Sequence, residues 1–136
     1  MTLTPEAPAR IAYYNEGDLW RWQLEALADL TAFVRAHAPG TERALPAVPW
    51  RVDNGREVSA DVGFLIDPAT GKPRDPVAVL TAYAAALKVE VERTEFPDQT
   101  SYLVKALIGR PQGTRARPRT TCALFARIYR DLDAVT

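Results

Sequence analysis

Two runs of alternating residues meet at Asn54-Gly55, and that junction constrains the fold more than any other feature of the chain. Trp50 and Val52 alternate with Arg51 and Asp53 before it. Val58, Ala60, Val62, Phe64 and Ile66 alternate with Glu57, Ser59, Asp61 and Gly63 after it. A period of two marks a strand, because successive side chains point to opposite faces. The Asn-Gly pair supplies the positive φ that both central positions of a two-residue hairpin turn require. The pattern predicts an antiparallel hairpin whose apolar face something else must cover.

Helical and strand periods on either side supply that cover. Glu16 to Ala38 reads as a helix, with Asn15 and Asp18 as candidate N-caps and Pro39-Gly40 as the stop. Asp18 is the preferred cap, since Gly17 before it tolerates a chain reversal. Residues 39–49 form a connector rich in Pro and Ala, and residues 67–74 are turn chemistry throughout. Asp75 then caps a second helix with Pro76 at its first position, where the missing N–H costs nothing. Val77, Leu80, Ala84 and Leu87 make its core face, with Tyr83 at the edge.

Three further strands follow, over Val89–Phe96, Thr100–Ile108 and Thr120–Tyr129, the first two joined by Pro97-Asp98-Gln99. The expected order is α-β-β-α-β-β-β. This is an α+β two-layer sandwich, with a mostly antiparallel five-stranded sheet packed against two helices. A chain of 136 residues suits one domain spanning 1–136. Within it, residues 1–15 read as a loosely ordered N-terminal arm.

Composition narrows the function classes. Lys+Arg and Asp+Glu are both 17, so no global field draws the chain to nucleic acid or an anionic membrane. Residues 1–68 carry six basic and ten acidic side chains, against eleven and seven in residues 69–136. The longest apolar runs fall well short of the ~20 residues that span a bilayer. A single cysteine precludes an intramolecular disulfide framework. A cytoplasmic protein is the expectation, and fourteen Arg against three Lys point to a GC-rich source.

Chemistry-bearing residues are sparse. His37, the only histidine, falls in the last helical turn, where orphan carbonyls and the helix dipole account for it. Cys122 lies mid-strand on an apolar face and reads as a buried, inert thiol. Glu90 and Glu92 alternate with valines and face solvent. Thr70-Gly71-Lys72 lacks the upstream glycine and following Ser/Thr of a phosphate loop, so it reads as a turn. No metal site, no cofactor and no catalytic set is expected. A pocket between sheet and helices would have to draw on Asp61, Tyr83 and Tyr102.

Two surfaces stand out. On the first helix, Trp20, Leu24, Leu27 and Val34 form the expected core stripe, with Leu19, Leu30 and His37 alongside. Trp22, Ala26 and Phe33 extend the apolar arc to roughly 200°, about twice what a surface helix needs. Trp22, Phe33 and Leu30 are therefore the candidate partner-binding residues. The loop from Gly109 to Arg119 carries four arginines and no acid, and Arg110, Arg115, Arg117 and Arg119 are candidate phosphate contacts.

Leu45-Pro46 ahead of Trp50-Arg51-Val52, the glycine turn with its valine-alternating strand, and the Ala-rich helix ending in Leu87 resemble a small actinobacterial protein family. The chain departs from that pattern at Tyr83-Ala84, where a tryptophan is expected. The resemblance implies a fold and a source, and carries no activity or site residues. The leading expectation is a non-catalytic protein-interaction or self-associating module working through the first helix or a sheet edge. The alternatives are a nucleic-acid binder using the 109–119 loop, and a small-molecule or enzymatic pocket.

Overall fold

The computed structural model describes residues 15–53, 56–109 and 119–130. The expected arm up to Tyr14, the Asn54-Gly55 turn and three of the four loop arginines (Arg110, Arg115 and Arg117) lie outside the described residues.

Helix α1 spans Glu16–Ala36. Asn15 is its N-cap: the residue is extended (φ −76, ψ 126), and its side chain accepts the Asp18 N–H at 3.2 Å. This corrects the preference for Asp18. A cap must stand outside the helix with extended backbone, whereas Asp18 lies inside the first turn and pairs with Arg21 at 2.8 Å. The helix ends two residues earlier than its periodicity suggests, and His37 is its C-cap.

Strands β1 (Arg51–Asp53) and β2 (Glu57–Asp61) form the expected hairpin, with Val52 opposite Val58 and Asp53 opposite Glu57. The alternation past Asp61 does not continue as a strand. The Val62 N–H still donates to the Phe125 carbonyl at 2.9 Å, and then Gly63 accompanies a turn held by Asp61 Oδ1 at 2.9 Å. Residues 67–74 make the predicted turn, with Gly71 at φ +71 and its N–H donating to the Asp67 carbonyl.

Helix α2 spans Pro76–Leu87, with Asp75 Oδ1 accepting the Val77 N–H at 3.1 Å and Pro76 in the first turn. Its buried face is Val79, Leu80, Tyr83 and Ala84. The stripe predicted from Val77 is thus rotated, because Tyr83 is drawn fully inward by a bond from its hydroxyl to the Pro46 carbonyl. Lys88 closes α2 in the left-handed conformation (φ 59), a position that ordinarily favours glycine.

Strands β3 (Glu92–Glu95), β4 (Gln99–Ile108) and β5 (Thr120–Tyr129) form an antiparallel meander. The β3 strand is shorter than its sequence pattern, since Val89 and Val91 leave the ladder to pack against the core. Sheet order is β1-β2-β5-β4-β3. The hairpin joins the meander through one parallel pair, β2 with β5, in which Val58 stands beside Cys122 and Ala60 beside Leu124.

The core lies on one side of this α+β sheet. Val58, Ala60, Val62, Val104, Ile108, Cys122, Leu124 and Ala126 meet both helices there. On the other face Ser59 is buried but satisfied: it donates to Asp53 at 2.7 Å and accepts from Arg51 at 3.3 Å. No helix among the described residues is long and apolar enough to cross a membrane.

Candidate interaction surface on helix α1

Helix α1 carries two neighbouring apolar stripes, one turned toward the sheet and one turned away from it. The inner stripe holds Trp22, Ala26, Asp29, Leu30, Phe33 and His37. Ala26 is fully buried, and its small side chain lets the helix approach the sheet closely. Phe33 sits in an aromatic cluster, its ring centroid 6.2 Å from both Trp50 and Tyr83 and 4.6 Å from His37. The connector covers this end of the helix: Leu45 and Val48 pack on the core, and His37 Nδ1 bonds the Arg43 carbonyl at 2.7 Å. Near the other end, the Arg56 guanidinium lies 5.3 Å above the Trp22 ring and 3.5 Å from Glu25, tying α1 to the hairpin.

The outer stripe is the reverse of what the sequence suggests. Trp20 is 68% exposed, Leu24 57%, Leu27 46% and Val34 42%, although these were the expected core residues. Conversely, the expected binding residues face the sheet: Leu30 is buried, and Trp22 and Phe33 are half-buried. Periodicity finds an apolar stripe but does not say which of two stripes meets the core. Spacing does not separate them, since both stripes step by four and three residues: Trp20, Leu24, Leu27, Thr31 and Val34 on one, and Trp22, Ala26, Asp29 and Phe33 on the other. The inner stripe carries the alanine and aspartate of a close, hydrogen-bonded approach.

The inner stripe borders a groove of about 610 Å³ between the two helices, lined by Asp29, Phe33, His37, Leu87, Gly109 and Arg119 among others. Its polar groups serve the fold. Buried Asp29 accepts the Thr120 hydroxyl at 2.6 Å. Gly109 (φ +89) packs so closely that a Cβ there would lie 2.4 Å from the Asp29 carboxyl carbon. Arg119, the one loop arginine described, donates to the Gly109 carbonyl at 2.8 Å and the Leu107 carbonyl at 3.2 Å. That arrangement clamps the facing ends of β4 and β5.

The residues proposed for a pocket do not converge. Tyr83 is buried against the connector and lines a small apolar cavity of about 130 Å³, which neither Asp61 nor Tyr102 lines. A third cleft, about 370 Å³, lies by Asp67, Thr70, Arg74 and Asp75, where Arg74 pairs with Asp67 at 3.6 Å. Cys122 is fully buried, and burial pushes its thiol up to about 12. Burial, and then the neighbouring Cys122, pushes the Tyr83 phenol up to about 12. Both groups stay protonated and unreactive at neutral pH.

Comparison with known proteins gives no match to a family model, a curated protein or a solved structure.

Proposed function

We propose that this protein is a non-catalytic interaction module whose contact surface is the outer stripe of α1. The observation that carries this reading is the exposure of Trp20, Leu24, Leu27 and Val34 in one continuous helical row. Single exposed apolar residues are ordinary, but a contiguous row ending in a tryptophan marks a contact site.

The sheet edges are weaker candidates. The β3 edge is Glu92-Arg93-Thr94-Glu95, exposed throughout and charged at three of its four positions, which discourages strand addition. The β1 edge is only three residues long.

Replacing Leu27 with Glu separates a contact surface from a covered one. A solvent-facing Leu27 predicts an unfolding free energy within about 0.5 kcal/mol of wild type in urea titration. A Leu27 covered by its own chain predicts a loss of about 2 kcal/mol or more, which would end the reading.

A further inference from the structure

We propose that the apolar pocket beneath the connector is a binding site for a small uncharged molecule bearing one six-membered aromatic ring. The site is separate from the contact surface on α1, whose outer row it meets only at Val34.

Four segments build the walls. Phe33 and His37 come from the end of α1, Leu45 and Val48 from the connector, Trp50 from the entry to β1, and Tyr83 from α2. Leu45-Pro46 and Trp50, which stand out in the sequence ahead of the hairpin, thus converge with a residue more than thirty positions later. The Phe33 centroid lies 6.2 Å from those of Trp50 and Tyr83, and the latter two lie 6.1 Å apart. Trp50 stands nearly edge-on to both rings, at 85° and 74°. Aromatic rings prefer such edge-to-face arrangements at centroid separations of roughly 4.5–7 Å, so a ligand ring extends an existing pattern by one member.

Size and charge set the ligand class. The volume is about 130 Å³, close to the about 150 Å³ of an apolar cavity that admits benzene. Among the described residues no Asp, Glu, Lys or Arg lines the pocket. A charged ligand would therefore lose hydration without gaining a partner.

The frame holds the walls apart. The Tyr83 hydroxyl donates to the Pro46 carbonyl, and the Leu45 N–H donates to the His37 carbonyl at 3.0 Å. His37 Nδ1 must carry its hydrogen, because its partner at 2.7 Å is the Arg43 carbonyl, which can only accept. These bonds fix the connector to both helices, and they use polar groups that would otherwise hold water in the pocket. Val34, Pro39 and Ala47 are exposed at the rim and leave a way in.

Nuclear magnetic resonance titration of the full chain with benzene, and separately with tetramethylammonium as a compact cation, tests the proposal. Benzene is expected to saturate one site per chain with a dissociation constant of about a millimolar, as suits so few atoms. Its protons should show Overhauser contacts to the Trp50 and Tyr83 rings and to the Leu45 methyl groups. Tetramethylammonium should bind about tenfold more weakly or less, since nothing in the walls repays its desolvation.

Benzene shifts that never saturate, or contacts confined to Trp20 and Leu24, would overturn the site and leave a packing void only. Tetramethylammonium binding as tightly as benzene would overturn the uncharged ligand class.

Discussion

The two helices rest on the same sheet and use it in opposite ways. Helix α2 has twelve residues and no charged side chain; it buries Val79, Leu80, Tyr83 and Ala84, and much of what remains is alanine. Helix α1 has twenty-one residues and buries only Ala26, Asp29 and Leu30, yet it carries the larger aromatic and leucine side chains. Hydrophobic content therefore does not measure how far a helix is committed to the core. A five-stranded sheet offers one covered face of fixed width. Once α2, the connector and the inner α1 stripe fill it, the remaining apolar residues must face outward.

The sharpest way to break this comparison is to truncate one leucine on each helix. Leu80→Ala on α2 removes a fully buried side chain and should cost about 2–5 kcal/mol in urea unfolding. A cost below about 1 kcal/mol would mean that α2 does not anchor the core as described.

A smaller effect belongs to alkaline pH and tests the α2 interface from its chemistry. Cys122 and Tyr83 are held protonated in the fold with values of about 12, against ordinary values of 9.0 and 10.0. In the unfolded chain they ionise first, so below 9.0 both states keep these protons and stability is at its full value. As pH rises from 9.0 toward about 12, the unfolded state binds fewer protons and stability falls. Cys122→Ala should flatten that decline in a urea midpoint measured against pH. An unchanged slope would show that the thiol is not held in its buried, neutral state.

The smallest effect is expected at Leu24→Ala. Its side chain is more than half exposed, so a dilute, monomeric sample should unfold within about 0.5 kcal/mol of wild type. A loss approaching that of Leu80→Ala would erase the distinction between the helices.

Local chemistry in the sequence located most of the elements whose deciding contacts are local. Asp75-Pro76 opens α2 because a carboxylate cap and a residue without an N–H both suit the first turn. The alternation on either side of Asn54-Gly55 yields the paired β1 and β2, and the turn at Pro97-Asp98 makes β3 and β4 neighbours. Val77 for Val79, Asp18 for Asn15, and above all the faces of α1 were choices between nearly equivalent local patterns. By contrast, β2 and β3 are shorter than their alternation because the Asp61–Gly63 turn and the packing of Val89 and Val91 interrupt it.

The sequence by itself determined the seven elements of the described residues in order, their types, and an α+β class with a mostly antiparallel sheet. Caps, turns and side-chain periods act over a few residues and can be read there. The tertiary structure alone decided that β2 lies parallel to β5, joining a hairpin to a meander across nearly sixty intervening residues. It alone decided that Ala26 and Asp29 face the sheet while Trp20, Leu24 and Leu27 face away. Packing is the reason. A helix with two apolar stripes turns inward the one whose small residue permits close approach and whose aspartate finds Thr120, and that partner lies ninety-one residues away along the chain.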